Sequence, residues 1–244
     1  FAGPARRRMS AEQLIDSLYA VAGKRMGTEM LTLDVNGRGA INVFLNLGRP
    51  RRAWEFTSLS NERDRPSLAL PKAQSVVDIL STFGWRDARQ DALTVRDHEP
   101  NALQPAIMAN GIVGRRITQL SDDSAFTELA LQSIDTHEMV KQVFLRILSR
   151  PPTYEERAMM HDQICQTFAF RKVKGAKKRE GREQVLDVSW NNHLSSDSNR
   201  IKVKLERLAR EGDPPTQRLR AEWRKQMEDV IYALINSPEF IFIP

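Results

Sequence analysis

The sequence predicts a mainly α fold: a single irregular multi-helix domain, with an αα-hairpin near residues 137–170 and either a short β-ribbon or an extended loop at 27–66. Three observations predict it. Apolar residues recur at three- and four-residue spacing through most of the chain, as in helices that bury one face. Three helical segments open on a capping-box pattern, a short polar residue followed three positions later by Glu or Gln. The stretch 27–66 lacks the helical period and carries β-branched and aromatic residues instead.

The elements follow in order. Ser10 and Gln13 form the first capping box, Leu14, Ile15, Leu18 and Val21 make an apolar stripe, and Gly23 is a stop signal, so Ala11–Ala22 is expected to be helical. In 27–66, Leu31 and Leu33 alternate around Thr32, and Ile41, Val43 and Leu45 alternate around Asn42 and Phe44. Asn36-Gly37 between them is a turn signal, and Trp54 and Phe56 could pack an extended loop just as well. Pro71 suits the first turn of a helix striped by Ala73, Val76, Val77, Leu80 and Phe83 and ended by Gly84. Asn101 with Gln104 reads as a second capping box, opening one helix with Leu103, Ile107 and Ile117 on a common face. Met139, Val140, Val143, Phe144, Ile147 and Leu148 form a strong stripe, which Ser149-Arg150-Pro151-Pro152 breaks. Thr153 and Glu156 form the third capping box and open the second arm of the hairpin. A basic, polar, flexible insertion is expected at 171–215, with a short helix at 201–210 inside it. A last helix at 216–236 is striped by Leu219, Trp223, Met227, Val230, Ile231 and Leu234, and the apolar tail 237–244 is expected to dock on the core. The total is about six or seven helices in one domain, 1–244.

Composition sets bounds on function. At 244 residues, 41% hydrophobic and 28% charged, the chain can bury a real core. No apolar run approaches the roughly 18–20 residues that span a bilayer. The net charge of +6 is local: 171–182 holds seven basic residues and one acidic one, against 30 of each elsewhere. The basicity is therefore no global signature of nucleic-acid binding, and nucleic acid is not the expected partner. The start, FAGPARRRMS, has no initiator Met and no apolar leader, and reads as a cut edge of a longer protein, by processing or by truncation.

Motifs for chemistry are few. Cys165 is the one cysteine, which excludes an intrachain disulfide and a Cys-x-x-Cys-His haem attachment. His137-Glu138 begins like a zinc-protease helix, but Lys141 stands where the second imidazole is needed. His161 and Cys165 share a helical face at i, i+4. Structural zinc wants four ligands, so a surface histidine beside a buried cysteine is expected and no metal is assigned. Asp34-Val35-Asn36-Gly37 is a turn rather than a calcium loop, since a full loop needs more oxygen ligands and a distal Glu. No catalytic residue is assigned. The candidate polar site is Asn61, Glu62, Arg63, Asp64 and Arg65 together with Arg86, Asp87, Arg89 and Asp91, loops at opposite ends of one helix. Paired carboxylates there could do acid–base work and the arginines could hold an anion; a salt-bridged loop pair is the plainer alternative. The candidate polyanion-binding set is Arg171, Lys172, Lys174, Lys177, Lys178, Arg179 and Arg182, which lacks interleaved aromatics.

Six strings taken together carry a resemblance: RRRMSAEQLIDSL, FLNLGRPRRAWEFTSLSNERDRPSLALP, FGWRDARQD, LQPAIMANG, SRPPTYEE and INSPEFIFIP. The chain resembles the planctomycete-specific domain-one family, domain of unknown function fifteen fifty-three, except over about 171–217. The resemblance implies the C-terminal module of a large exported, extracytoplasmic (periplasmic or secreted) protein whose other modules include cytochrome-c-like ones. It implies no cofactor in this chain, with haem c belonging to a neighbouring module. The implied partners are upstream domains of the same protein, other extracytoplasmic proteins or polysaccharide. The family has no established reaction. A non-catalytic structural or interaction module is the leading expectation. The alternatives are an extracytoplasmic enzyme or carbohydrate-binding module using 61–65 and 86–91, or nucleic-acid or polyanion binding through 171–182.

Overall fold

The structure is a computed structural model that describes residues 7–29, 31–33, 45–48, 50–58, 70–85, 99–179 and 194–243. Helices dominate them: α1 Ala11–Ala22, α2 Pro71–Thr82, α3 Leu103–Asn110, α4 Ile112–Thr118, α5 Ala125–Leu131, α6 Thr136–Leu148, α7 Tyr154–Cys165, α8 Ser198–Glu211, α9 Ala221–Ile235 and α10 Pro238–Ile241. The mainly α expectation holds, with more and shorter helices than the apolar stripes alone suggest.

The first helix forms as its sequence dictates. Ser10 Oγ accepts the Gln13 amide, the Gln13 side chain accepts the Ser10 amide, and Gly23 closes α1 at φ 65°. Glycine is required there twice over. Its φ is left-handed, and a Cβ would stand 2.6 Å from the Ala125 Cβ. The ribbon alternative holds within 27–66: β2 (Leu31–Leu33) pairs antiparallel with β3 (Leu45–Gly48), with a register shift between Leu31 and Thr32. Asn36-Gly37 lies outside the described residues. Phe56, in a 3-10 turn over Ala53–Ser58, is fully buried.

The helix expected from Asn101 through Ile117 is two helices. Gly111 has ψ 156° and separates α3 from α4. A Cβ at Gly111 would meet the Ile107 carbonyl oxygen at 2.3 Å, so the break needs glycine for space. The expected capping box does not form either. Asn101 Oδ1 accepts the Leu103 amide, but the Gln104 side chain donates to the Thr82 and Glu99 carbonyls. Leu103 consequently points outward at 62% exposure, while Met108 and Ile117 enter the core.

The αα-hairpin is α6 and α7. The stripe on α6 buries Met139, Val140, Val143, Phe144 and Ile147, Ser149 ends it in the left-handed region, and the Thr153–Glu156 capping box opens α7. The short helix expected at 201–210 is the longer α8, which packs on α2 and buries Leu205 and Ala209. The last long helix starts later than expected, at Ala221, because Pro215 and Leu219 are held in backbone bridges to Ser121 and Lys172.

α1 packs on α2, α4 and α5, while α9 packs on α4, α6 and α7, so α4 touches both halves of the core. Leu14, Ile15, Leu18, Ile117, Phe126, Phe144, Trp223 and Ile231 are fully buried there. Each such side chain contributes about 1.5–3 kcal/mol of apolar transfer. The tail docks as expected: α10 buries Phe240, and β4 (Phe242–Ile243) pairs antiparallel with β1 (Arg7–Arg8).

Several helix ends are closed by side chains distant in sequence. Glu29 accepts the Lys72 and Ala73 amides at the start of α2, whose own N-cap Leu70 offers nothing. Arg146 donates to the Ala20 and Val21 carbonyls at the end of α1, and Arg115 to the Arg210 carbonyl at the end of α8. Such contacts satisfy the orphan groups that every helix terminus leaves.

Candidate functional site

Asn61, Glu62, Arg63, Asp64 and Arg65, and likewise Arg86, Asp87, Arg89 and Asp91, lie outside the described residues. Arg182 does too. The rest of the basic segment divides into two kinds of residue. Arg171 is 5% exposed, and its guanidinium donates to the Ala130, Gln132 and Phe168 carbonyls at 2.8, 2.8 and 3.0 Å. It thereby closes the C-terminus of α5 and lies 3.7 Å from the centre of the Phe168 ring. Burial lowers its pKa, but an arginine stays charged. Lys172, Lys174, Lys177, Lys178 and Arg179 are exposed. The start of this segment is fixed by a backbone bridge between Lys172 and Leu219, and the Arg179 amide donates to Asp122 Oδ2. The expected flexible insertion thus has docked parts at both edges, 171–173 and 198–216.

The deepest polar cluster joins three distant segments. Lys24, 5% exposed, follows α1. Arg116 belongs to α4, and Asp213 follows α8. Lys24 Nζ donates to the Arg116 and Gln119 carbonyls at 2.6 and 3.0 Å, closing α4, and lies 3.4 Å from Asp213 Oδ2. Arg116 Nε donates to that same oxygen at 2.9 Å. Its other nitrogens donate to the Met26 and Arg25 carbonyls and reach the Tyr19 hydroxyl at 3.5 Å. Burial alone would raise the Asp213 pKa, but the charges of Arg116 and Lys24 outweigh it and hold the carboxyl below its ordinary value. Burial lowers Lys24 against the pull of Asp213, and burial raises Tyr19 against Arg116. Every one of these charges is spent on binding one segment of chain to another. The neighbouring cavity, lined in part by Tyr19, Lys72, Arg116 and Asp213, has a volume of about 10 Å³, room for about one water.

The hairpin presents a different surface. α7 buries only Ile164, and Tyr154, Met159 and, just beyond it, Phe170 are 78%, 66% and 68% exposed. Arg150 anchors its base. Two nitrogens make a bidentate pair with Glu156 at 2.7 and 2.8 Å, and two bonds at 2.5 and 2.7 Å reach Glu239 of α10. The pairing with Arg150 pushes Glu156 down to about 2, and both carboxylates raise Arg150. Along α7, His161 stacks flat on His137 of α6, with centroids 4.1 Å apart and planes 6° from parallel. His161 Nδ1 is 2.8 Å from Thr136 Oγ1. The ligand atoms of His161, Asp162 and Cys165 lie within 4.8 Å of one another. Cys165 is half-buried rather than buried, and its Sγ faces the Asp162 carbonyl at 3.6 Å.

Sequence reasoning singled out His161, Cys165 and the basic run. It missed Lys24, Arg116 and Asp213, whose partners lie 90 to 189 residues away in the chain and leave no local signal. Asp162 could have been found: it stands next to His161, although neighbouring positions on a helix point about 100° apart and do not announce a shared site.

No curated protein and no solved structure matches the chain. The profile of the family described as PSD1, protein of unknown function (DUF1553), matches residues 1–164, which is α1 through nearly all of α7. The match ends before the tail string INSPEFIFIP. With two thirds of its length matched, the chain belongs to the PSD1 (DUF1553) family of proteins of unknown function.

Proposed function

We propose that this chain is a non-catalytic interaction module of an extracytoplasmic multidomain protein, a C-terminal module of planctomycete type. The observation that carries the reading is the exposed surface of α7, a helix of 12 residues that buries one of them and turns Tyr154 and Met159 outward. Large apolar side chains held outward on a helix fixed at its base by Arg150 suit burial against a partner. The buried charges elsewhere serve cohesion, which fits a rigid module. Partners in this reading are upstream domains of the same protein, with other extracytoplasmic proteins or polysaccharide as further candidates. Haem c belongs to a neighbouring module. Covalent attachment needs Cys-x-x-Cys-His, and a lone Cys165 does not fit it. No described helix is long and apolar enough to cross a membrane. The enzyme or carbohydrate-binding reading through 61–65 and 86–91 has no described geometry to rest on.

The test mixes this chain with the separately produced upstream part of its parent protein and follows complex formation by sedimentation. A stoichiometric complex is expected, weakened at least about tenfold by the double substitution Tyr154→Glu and Met159→Glu, with the helical circular dichroism unchanged. A wild-type chain that stays free, or a variant that binds as tightly, defeats the reading.

A second reading, polyanion binding, is favoured by the five exposed cations at 172–179. It predicts retention on heparin that falls steeply with salt and is lost when Lys172, Lys174, Lys177 and Lys178 become alanine. Equal retention of that variant rules it out.

A further inference from the structure

The geometry points to a mononuclear site for a zinc-class divalent cation on the solvent side of α7, with His161 Nε2, Asp162 and the Cys165 thiolate as its three protein ligands. His161 and Cys165 are four residues apart, so both rise from one face of the helix. A ring nitrogen of His161, a carboxylate oxygen of Asp162 and the Cys165 sulfur already lie within 4.8 Å of one another. A tetrahedral ion with bonds of about 2.0–2.3 Å holds its ligands about 3.5 Å apart, so side-chain rotation of roughly an ångström closes the set.

The imidazole is prepared for this task from two sides. Thr136 Oγ1 sits 2.8 Å from Nδ1. With Nδ1 protonated and donating to that hydroxyl, Nε2 keeps its lone pair for a metal, the arrangement that orients most metal-bound histidines. The His137 ring lies flat against one face of the imidazole and fixes its plane. A ring held in place loses little freedom when it ligates, which favours binding even at a partly exposed site.

The donor set selects the ion. One thiolate, one imidazole and one carboxylate suit zinc or cobalt, whereas calcium and magnesium take oxygen ligands in larger number. Three protein ligands leave the fourth position of a tetrahedral ion to water. Because Cys165 is the sole cysteine, no intrachain disulfide competes for the sulfur. Binding displaces the thiol proton.

Cobalt(II) is the probe, titrated into the reduced full chain. One ion per chain is expected, with a thiolate-to-metal charge-transfer absorption that zinc abolishes by displacement. Cys165→Ser removes that absorption, and Cys165→Ser, His161→Ala and Asp162→Asn each weaken binding at least about tenfold; Thr136→Val, a positioning change, weakens it by about tenfold. Zinc also slows iodoacetamide alkylation of Cys165 in the wild-type chain, a readout that needs no variant to fold. A titration without the charge-transfer band, alkylation indifferent to zinc, or unchanged affinity in any one of the three ligand variants overturns the assignment.

Discussion

Replacing Arg116 with alanine is expected to destabilise the chain by about 3–5 kcal/mol, the cost of breaking a buried ion pair from one side. The substitution strips Asp213 of its closest charge at 2.9 Å and leaves the Met26 and Arg25 carbonyls without their guanidinium donor. Lys24 does not make up the loss, because its ammonium is already committed to the Arg116 and Gln119 carbonyls and sits 3.4 Å from Asp213. For a chain of this size the change corresponds to a melting temperature lower by roughly 10 °C. Thermal unfolding of R116A, D213N and the double variant makes the check. The double variant is expected to cost less than the sum of the singles, since each single breaks the same Arg116–Asp213 pair. A melting temperature within about 2 °C of wild type in R116A would show that the cluster is not a structural tie.

Trp223→Ala is expected to cost about 3–5 kcal/mol as well, by a different route. The indole is fully buried, its Nε1 donates to the Ile164 carbonyl at 3.1 Å, and the Phe168 ring meets it edge-on at 6.1 Å. Truncation opens a cavity between α9 and the end of α7 and orphans a buried carbonyl. Trp223→Phe refills most of the volume and loses only the hydrogen bond, so about 1–3 kcal/mol is expected. Urea unfolding followed by circular dichroism separates the two variants. Equal midpoints for W223A and wild type would refute the packing role. The position matters because Ile164 is the last residue of the family match, while Trp223 lies outside it. Residues after the match complete the core of the matched part, with Met227, Val230 and Ile231 joining Trp223.

What could be read from the sequence was whatever is decided within about five residues. The Ser10 and Thr153 capping boxes, the Gly23 stop, Pro71 at the first turn of α2 and the stripe on α6 all stand where local rules put them. The failures came where a distant contact outbid a local one. Gln104 reaches for Thr82 rather than back to Asn101, and α3 stops where the chain must pass the Ile107 carbonyl. Arg171 looked like one cation among seven, yet its neighbours in space are the carbonyls at the end of α5. At the candidate metal site the i, i+4 pair of His161 and Cys165 was legible. The contributions of Thr136 and His137 were not, since they arrive from the other arm of the hairpin. The loops at 61–65 and 86–91 lie outside the described residues, so that expectation stands where the sequence left it.

The pairing of β1 with β4 has a mechanical consequence. Arg7 faces Ile243 and Arg8 faces Phe242, and the Met9 amide continues the ladder to the Ile241 carbonyl. Tension applied to the two ends therefore enters and leaves at one point on the surface. The load opens this ladder rung by rung, as a zipper opens, instead of shearing all its rungs together. On the side of β4 peeling must then pass α10, where the bonds between Glu239 and Arg150 stand as the next latch, while on the side of β1 the load falls directly on the capped start of α1.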